Sequence, residues 1–549
     1  MQIKTFMMLK YYIYMSSFLI IMRKTFFPIL AVFLLSFYFM AGSTQLCGQD
    51  NQVVSGVVFH DKDADGLFDK SKDKALKDVA VSNGREIVVT DRGGKYVLPL
   101  KDNSAIFVIK PRNWMVPVDE NQIPRFYYLH STGGSTGTKY KGLDPTGKLP
   151  ASVDFPLYPS EEADEIDVLV FGDTQTRDDK EVFYTARDII PGLLGSDYSF
   201  GITLGDIAYD NLTIYEHLTT TLSAVGIPMR YVPGNHDNDY TGNNITDARG
   251  TWLRTFGPRY YSFSQGPAHF IVLDDISWIV EGDSRYYRTG LGEDQIEFLR
   301  NELQRVDKDQ LVFILSHIPY EGSTAWQDEE EKKSFYQILA AHPNTVSMAA
   351  HTHRHYHQFI DATQGWPGNS PHHLVSVGTA CGAWWTGAPD EFGIPHAMMS
   401  DGTPNCYTIL HINGTDWKLE WRAPGKPADY QMHIEAPDMF SSAIPGSMEI
   451  LANIYNALPS ARVRVKIGEN GDWTEMKRVV QNDPVRVAVT AREKELGKVP
   501  WRNLGNPAPS EHIWTAIYDL NLKPGIYVIE VEATDRWWKH TGKRLLYVK

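Results

Sequence analysis

Cysteine is scarce in this chain, since only Cys47, Cys381 and Cys406 occur among 549 residues. No two of them form a C-x-x-C pair, which excludes a zinc ribbon and gives no support to a disulfide scaffold. Two alternatives stay open for Cys381 and Cys406. They either form a disulfide in an oxidising compartment or remain free buried thiols.

Basic residues are also in deficit, with 53 Lys and Arg against 67 Asp and Glu and a formal net charge of -14. Proteins whose main work is gripping nucleic acid rely on clustered Lys and Arg, so no nucleic-acid partner is expected. A small phosphorylated substrate remains compatible with this charge, because a metal site supplies positive charge of its own. The sequence does not indicate an oligomeric state.

The apolar run near the start, from Phe26 to Ala41, is too short for a transmembrane anchor, which needs roughly 20 residues. Arg23 and Lys24 precede it and small residues follow it, which is typical of a secretory signal peptide. We therefore predict a signal peptide over residues 1–45, with Met22 as an alternative start. The protein is expected to be secreted or periplasmic, and a lipid-anchored outer-membrane form attached at Cys47 is the alternative.

The rest of the chain divides into three parts, in keeping with roughly 150 residues per domain. Residues 50–160 contain short alternating strands and turns, which predicts an N-terminal β-sandwich. Residues 165–423 alternate strands with helical patterns, which predicts an α/β layered domain. Residues 424–549 return to short strands, one of them predicted over Val485 to Thr490, and are expected to form a second all-β sandwich.

An acidic loop lies in the N-terminal part, where Asp61, Asp63 and Asp65 alternate and Gly66 follows. Together with Asp69 they resemble the front half of a calcium loop, in which carboxylates converge on a hard cation. Lys72 stands at the twelfth position, where such loops carry a bidentate Glu. The alternatives are a structural calcium site and a solvated acidic turn.

Polar motifs follow five of the predicted strands of the middle part. They are Gly172-Asp173-Thr174-Gln175, Gly205-Asp206, Gly234-Asn235-His236-Asp237, Ser316-His317-Ile318-Pro319 and His351-Thr352-His353. A single His or Asp at a strand end is usually a hydrogen-bonded structural residue. Ligands bind at the carboxyl ends of the strands in open α/β sheets, so the ordered set of five predicts a metal site there.

This order of motifs resembles the calcineurin-like metallophosphoesterase family, in its bacterial branch with N-terminal and C-terminal β domains. The resemblance implies a central layered β-sandwich flanked by helices, and it implies two metal ions. It assigns one metal to Asp173, Gln175, Asp206 and His353, and the second to the bridging Asp206, Asn235, His317 and His351. His236 would face the substrate, with Asp237 beside it to orient the ring.

The chain departs from the family pattern in three places. Gln175 replaces the usual His, and Ala350 replaces the Gly that precedes His351. Tyr209 makes the Gly205-Asp206 motif resemble that of purple acid phosphatases, in which the tyrosine binds ferric iron. We predict Gln175 as the ligand and keep Tyr209 as the alternative.

The chemistry of such a site follows from its charges. Two metal ions carry more positive charge than Asp173 and Asp206 offset, so the site attracts phosphate and activates a bridging hydroxide for attack on phosphorus. His236 would protonate the leaving oxygen. The mixed N and O ligands suit Mn, Fe or Zn. Five further residues beside these motifs or on nearby loops are expected either to contact substrate or to serve packing: Asp210, Asn238, Trp384, Trp385 and Asp401.

The function predicted from these features is that of an exported binuclear-metal phosphoesterase, which hydrolyses a phosphate mono- or diester. Its partner would be a phosphorylated small molecule, a lipid headgroup or a glycan. Two alternatives remain. One is a surface glycan-binding or adhesion protein with a degenerate phosphoesterase domain, and the other is a nuclease of the same family.

Overall fold

A computed structural model describes residues 52–322, 326–441 and 446–549. The predicted signal peptide, the alternative start at Met22 and Cys47 lie outside these residues. Within the described ranges, no helix has the length and apolar character needed to cross a membrane. Cys381 and Cys406 are both buried and free, so the free-thiol alternative applies to them.

The N-terminal part contains two small sheets, as its alternating strands predict. The first has five strands, in the order β2-β1-β9-β7 with β5 paired to β1, and the second has the order β4-β3-β6-β8. Strand β5 reads exposed-buried in strict alternation, which is the pattern of a strand with one face on a core. The nine strands are β1 (Gln52–His60), β2 (Lys74–Ala75), β3 (Ala80–Ser82), β4 (Ile87–Val89), β5 (Lys95–Leu100), β6 (Ser104–Val108), β7 (Trp114–Met115), β8 (Tyr127–His130) and β9 (Phe155–Pro159).

The middle part is built from two larger sheets. Its strands are β10 (Glu165–Phe171), β11 (Phe200–Thr203), β12 (Met229–Tyr231), β13 (Tyr261–Gln265), β14 (Ala268–Val272), β15 (Ile276–Glu281), β16 (Ser284–Thr289), β17 (Val312–Leu315), β18 (Thr345–Ala349), β19 (Tyr356–Ile360), β20 (His372–Ser376), β21 (Tyr407–Asn413) and β22 (Asp416–Arg422). One sheet has the order β12-β11-β10-β21-β22 and the other β13-β14-β17-β18-β20-β19, while β15 and β16 form a separate hairpin. Strands β10, β11 and β12 are parallel, as are β14, β17, β18 and β20.

Aromatic rings fill the space between the two larger sheets. Phe200 of the first sheet meets Phe263 and Phe270 of the second edge-on, at centroid distances of 5.4 and 5.1 Å. Phe313 continues the row by stacking on Phe270 at 5.4 Å. All four rings are at most 2% exposed. Each contributes on the order of 2 kcal/mol by leaving water, and truncating Phe270 to alanine would cost roughly 3–5 kcal/mol because a cavity would remain.

Helices cover the outer faces of this sandwich. They are α1 (Asp179–Asp188), α2 (Tyr215–Ser223), α3 (Ile245–Ala248), α4 (Gly250–Phe256), α5 (Glu293–Leu303) and α6 (Glu329–Ala340). Helix α1 begins after Asp178, whose side chain accepts the Glu181 N–H, and α6 begins after Asp328 in the same way. The predicted architecture, a layered β-sandwich flanked by helices, is confirmed.

The C-terminal part contains two further sheets, with the orders β23-β25-β29-β28 and β24-β31-β30-β26-β27. Its elements are β23 (Met432–Glu435), β24 (Met439–Phe440), β25 (Gly446–Ile454), β26 (Arg462–Ile467), β27 (Thr474–Glu475), β28 (Lys477–Asn482), α7 (Pro484–Leu496), β29 (Pro509–Leu520), β30 (Gly525–Thr534) and β31 (Lys539–Val548). A shared core packs the two sheets together.

The strand predicted over Val485 to Thr490 is wrong, because these residues lie in α7. Asp483 caps this helix by accepting the Arg486 N–H at 2.7 Å, and Pro484 occupies the first helical position, where its missing N–H costs nothing. The valines of this segment alternate with other residues, as they would in a strand. The helix start signal just before them decides the local structure.

Candidate metal centre

The five polar motifs meet at one edge of the sandwich. Asp173, Asp206 and Asn235 follow β10, β11 and β12, while His317 and His351 follow β17 and β18. Because these strands run parallel within each sheet, their carboxyl ends lie at the same edge and bring the loops together.

Several predicted ligands adopt the left-handed backbone region, which is rare for residues other than glycine. The φ angles are 33° at Gln175, 47° at Asp206, 62° at His351 and 48° at His353. Such conformations cost on the order of 1 kcal/mol each and cluster at functional sites. Ala350 itself does not have a positive φ, so alanine is tolerated in place of the family's glycine.

Glycine is required at Gly205, where the chain turns into Asp206. Its φ is 96°, and a Cβ there would lie 2.4 Å from Nδ1 of His317. The missing side chain therefore lets the loop after β11 approach the loop after β17. A larger residue would force His317 away from Asp206.

The second predicted ligand group converges on one atom, Nε2 of His317. This nitrogen lies 3.3 Å from Asp206 Oδ2, 3.1 Å from Asn235 Oδ1 and 3.2 Å from His351 Nδ1. Asp206, His317 and His351 are also the group of residues whose ligand atoms lie within 4.8 Å of one another. Donor atoms bound tetrahedrally at roughly 2.0 Å from a metal are separated by roughly 3.3 Å, so this spacing fits a metal ion.

The first predicted group lies beside it. Nε2 of His353 is 3.1 Å from Asp173 Oδ2, and the backbone N–H of His351 donates to Asp173 Oδ1 at 3.0 Å. Gln175 donates from Nε2 to Asp206 Oδ2 at 2.8 Å. Asp206 therefore stands between the two groups, as a bridging ligand must.

The two deepest imidazoles are oriented by backbone carbonyls. Nδ1 of His317 donates to the Leu204 carbonyl at 2.8 Å, and Nδ1 of His353 donates to the Gly382 carbonyl at 2.5 Å. In both rings Nε2 is left facing the carboxylates. This is the usual way in which a protein fixes the tautomer of a metal-binding histidine.

The charges of the site pull its histidines in opposite directions. Burial lowers the pKa of His317, but Asp206 and Asp173 more than offset this and raise it to about 10. Burial and the neighbouring His317 lower the pKa of His351 to about 4. The carboxylates of Asp173 and Asp206 therefore favour positive charge in this pocket.

Gln175 and Tyr209, the two alternative metal ligands, lie in different surroundings. Gln175 is 1% exposed, and its Oε1 accepts no hydrogen bond from any residue of the described ranges. A buried oxygen of this kind is costly unless it has a partner, and a metal would provide one. The ring of Tyr209 is instead covered on its faces, by His236 at 4.5 Å and by the Arg177 guanidinium at 4.1 Å.

The predicted pairing of His236 with Asp237 is wrong. Asp237 is fully buried, and its carboxylate accepts the backbone N–H groups of Ile207, Ala208 and Gly234 at 2.8–3.1 Å. Burial and the charge of Asp206 raise its pKa to about 6. The partner of His236 is Asp210, whose Oδ1 lies 2.8 Å from Nδ1 of the ring. By accepting these three N–H groups, Asp237 holds together the loops that carry the predicted ligands.

Two of the predicted substrate contacts are buried in packing. Trp385 is 1% exposed and lies against Tyr184 at 5.6 Å, so the packing alternative applies to it. Asp401 is also 1% exposed and accepts the backbone N–H groups of His355 and Thr403. Both side chains stabilise loops and do not reach a substrate surface in this arrangement.

The other predicted contacts lie at the centre itself. Trp384 is half-buried, has a φ of 57° and stacks on His353 at 4.1 Å. Asn238 is 1% exposed and donates from Nδ2 to the Asn235 carbonyl at 3.1 Å, so it supports a ligand loop. Asp210 is the most open of the three, with 49% of its side chain exposed.

Sequence reasoning missed Asp275 and the pair of Arg249 and Asp274. Asp275 accepts the backbone N–H of Ile318 at 2.8 Å, and burial raises its pKa to about 7. Arg249 donates to the Gly234 carbonyl and to Asp274, both at 2.9 Å. Asp274 and Asp275 follow β14, the same strand-end position that marked the other motifs, so the signal was present.

The acidic loop of the N-terminal part lies apart from this centre in the chain. Asp61, Asp63 and Asp65 each contribute an oxygen to a group whose atoms lie within 4.8 Å of one another. Asp69 does not belong to that group. Its Oδ1 accepts hydrogen bonds from the backbone and the hydroxyl of Ser71 at 2.8 and 2.7 Å.

Three family models match consecutive segments of the chain. The N terminal of calcineurin-like phosphoesterase matches residues 62–142, calcineurin-like phosphoesterase matches residues 166–355, and the C terminal of calcineurin-like phosphoesterase matches residues 375–540. The central match begins within β10 and contains all five motifs. No curated protein matches the chain.

Solved structures resemble the chain only weakly. An engineered protein aligns at 12% identity over 64% of this chain and 65% of its own, with a TM-score of 0.14. An endo-beta-1,4-mannanase from Thermotoga petrophila aligns at 10% identity over 64% of this chain and 79% of its own, with a TM-score of 0.18. A calcium binding mutant of Bacteroides uniformis beta-glucuronidase 2 aligns at 8% identity over 86% and 56%, with a TM-score of 0.23. Likenesses this weak carry no argument about fold or function.

Proposed function

Because the chain belongs to the calcineurin-like phosphoesterase family and has its N-terminal, central and C-terminal parts, we propose that it is an exported binuclear-metal phosphoesterase. It hydrolyses a phosphate mono- or diester carried by a small molecule, a lipid headgroup or a glycan. The metal dependence follows from the family, while export and the kind of ester are part of the proposal.

The observation that carries the proposal is the position of Asp206. Its Oδ2 is 2.8 Å from Gln175 and 3.3 Å from His317, while its Oδ1 accepts the His236 N–H at 2.8 Å. Gln175 belongs to one predicted ligand group and His317 to the other. A single carboxylate that reaches both groups is what a two-metal site requires.

The side chains fit a pair of transition-metal ions. Imidazole nitrogens, carboxylates and amide oxygens suit Mn, Fe or Zn, and the unpartnered Oε1 of Gln175 supplies a further oxygen. When bound, such ions would supply Lewis-acid stabilisation of the phosphoryl oxygens and an acidified water. The metals would be held by the residues Asp173, Gln175, Asp206, Asn235, His317, His351 and His353.

His236 is the side chain placed to serve the leaving group. Its side chain is 23% exposed, so it is reachable from solvent. The contact with Asp210 occupies Nδ1 and leaves Nε2 to donate to the oxygen of a bound ester. Tyr209 stacks on the ring and fixes its plane. General acid help of this kind contributes roughly a hundredfold or more to a rate.

The two alternative functions have less support. A degenerate domain in an adhesion protein has no need for seven ligand-type side chains that remain in contact with one another. A nuclease would have to bind a polyanion with a chain whose net charge is -14. Neither is favoured by a specific contact among the residues that the structure describes.

The first experiment measures hydrolysis of p-nitrophenyl phosphate and bis-p-nitrophenyl phosphate by protein loaded with Mn, Zn or Fe. We expect metal-dependent turnover that falls at least a thousandfold in Asp206→Asn, since both ligand groups lose their shared carboxylate. Asp416→Asn, at the exposed first residue of β22, is the matched control and should keep full activity. The preferred compound separates monoesterase from diesterase.

Turnover that survives in Asp206→Asn, or its absence with every metal in a folded and metal-loaded protein, would contradict the proposed activity. Export is tested separately by cell fractionation and by N-terminal sequencing of the mature chain. Cleavage near residue 45 and recovery outside the cytoplasm are expected. An intact N-terminus in the cytoplasm would refute this part of the proposal alone.

A further inference from the structure

The acidic loop between β1 and β2 is a closed structural unit. Phe59 pairs with Ala75 and His60 with Lys74, so the intervening residues form the loop of a hairpin. Asp73 closes this loop by accepting the backbone N–H groups of Lys62 and Asp69 at 3.1 and 2.8 Å. The shape of the loop is therefore set by its own hydrogen bonds.

Asp61 is the buried member of the loop, with an exposed fraction of 2%. Its Oδ2 accepts the Gly66 N–H and the Tyr158 hydroxyl, both at 2.9 Å. Its Oδ1 is also buried, yet it has no hydrogen-bond partner anywhere in the described part of the chain. A buried carboxylate oxygen left without a partner is energetically costly, which indicates that a partner from solution belongs there.

Asp63 and Asp65 place two further carboxylates beside Asp61. One oxygen from each of Asp61, Asp63 and Asp65 lies within 4.8 Å of the others, so their negative charges repel one another and a bound cation would relieve that repulsion. Gly66, with a φ of 76°, and Ala64, with a φ of 58°, turn the chain so that alternate side chains face inward. Carboxylates at the first, third and fifth positions followed by glycine are the front of a calcium loop.

Lys72 is the competing explanation, because its Nζ lies 2.8 Å from Asp63 Oδ2. The side chain of Lys72 is 54% exposed and that of Asp63 is 35% exposed. An exposed ion pair contributes little to stability, and Oδ1 of Asp61 receives no hydrogen bond from Lys72. Lys72 thus offsets the charge of Asp63 and leaves the buried Oδ1 of Asp61 without a partner.

We propose that Asp61, Asp63 and Asp65 bind a structural Ca²⁺ ion in the N-terminal part of the protein. Oxygen ligands supplied by carboxylates suit calcium, whereas magnesium demands a tighter octahedron. The bidentate twelfth-position acid is missing, so binding is weak, with a dissociation constant of roughly 10⁻⁴ to 10⁻³ M, as in extracellular modules. Through the hydrogen bond of Asp61 to Tyr158, the ion strengthens the attachment of β1 to β9. This site goes beyond the proposed phosphoesterase activity and does not depend on it.

The test follows the thermal midpoint of the full-length protein as Ca²⁺ is raised to several millimolar. It is run in the Asp206→Asn background as well as in wild type, so that the central metal site does not account for the result. We expect the midpoint to rise in both proteins and to become insensitive to Ca²⁺ in Asp63→Asn/Asp65→Asn. Asp91→Asn, in the turn between β4 and β5 of the same part, is the matched control and should keep the response.

A gain-of-function variant keeps the proposal testable if the first variant folds poorly. Lys72→Glu removes the competing ammonium and places a carboxylate at the twelfth position, and we expect it to tighten Ca²⁺ binding at least tenfold by calorimetric titration. Lys72→Gln removes the ammonium only and should tighten it much less. Equal affinities in both variants, an unchanged response in Asp63→Asn/Asp65→Asn, or an equal response to Mg²⁺ would each overturn the calcium site. None of these outcomes bears on phosphoesterase turnover.

Discussion

Tyr209 and His236 stack face to face, with ring centroids 4.5 Å apart and planes inclined by 20°. The Arg177 guanidinium lies 4.1 Å from the centre of the Tyr209 ring, so the three side chains form one column. Arg177 is held in turn by the Trp384 carbonyl, to which it donates at 3.0 Å. The tyrosine is therefore used as a support for the histidine, which favours Gln175 as the metal ligand.

Replacing Tyr209 tests this supporting role. Tyr209→Phe keeps the stacked ring, so kcat should stay within about twofold, whereas Tyr209→Ala should lower kcat by roughly tenfold or more because His236 loses its fixed plane. Activity assays and a visible spectrum of the iron-loaded enzyme are the measurements. A purple absorbance that disappears in Tyr209→Phe would place the phenolate on iron and contradict this prediction.

Gln175 should control how firmly one metal is held. Gln175→Ala removes the unpartnered buried oxygen, so metal content after dialysis should fall from two ions toward one, and activity should fall with it. Gln175→His supplies a stronger nitrogen ligand and should retain metal at least as well as wild type. The measurement is elemental analysis of dialysed protein. Unchanged metal content in Gln175→Ala would remove Gln175 from the ligand set.

Asp210 and Asp237 should respond to the same substitution in different ways. Asp210→Asn weakens the partner of His236 at an exposed position, so kcat should fall by roughly tenfold with little change in thermal midpoint. Asp237→Asn disturbs the acceptor of three backbone N–H groups and should cost roughly 1–3 kcal/mol of stability. Kinetics and thermal unfolding are compared for both variants. Equal losses of stability would mean that Asp210 is structural as well.

Acid should weaken the attachment of the C-terminal part through buried histidines. His357 lies 3.1 Å from His373 and 2.9 Å from Asn456 of the C-terminal part, and Arg536 approaches His373 at 3.2 Å. Burial lowers the pKa of His357 to about 4, and burial also lowers that of His373. These rings stay neutral when folded, with no carboxylate among the contacts just named.

The direction of this pH dependence follows from the lowered pKa of His357. The unfolded chain takes up protons near pH 6.5 and the folded chain only near pH 4, so stability is complete above pH 6.5 and falls between these values. The loss for His357 is roughly 3 kcal/mol. Thermal midpoints measured from pH 7.5 to 4.5 should decline, and His357→Gln should flatten the decline. The exposed His217→Gln is the control, and an equal flattening there would contradict the assignment.

Much of the central site was predictable because its information is local. Each ligand motif directly follows an apolar strand, and covalent order alone then places it at a strand end. The layered fold was predictable for the same reason, since the alternation of strand and helix patterns can be recognised in the sequence without knowing which distant segments are in contact. The segment from Val485 to Thr490 shows the limit of such local patterns. Its alternation predicts a strand, but Asp483 and Pro484 start a helix that includes it.

The hydrogen-bond partner of a polar side chain could not be predicted from its neighbours in the sequence. Asp237 is next to His236 in the chain, yet the helical turn at residues 235–237 directs its carboxylate to the loop after β11. Asp210 reaches His236 across 26 residues of sequence. For Trp385 the sequence left substrate contact and packing as alternatives, and the side chain is buried because Tyr184 of α1 packs against it.

The sequence by itself determined the family, the layered architecture and the order of the metal-binding motifs, because these depend on residue type and short spacing. Only the tertiary structure decided that Asp210 supports His236, that the ring of Tyr209 is occupied by stacking, and that Asp61 keeps a buried oxygen without a partner. Those outcomes depend on distances between segments far apart in the chain. They are set by how two sheets and their loops pack, a property that no local pattern records.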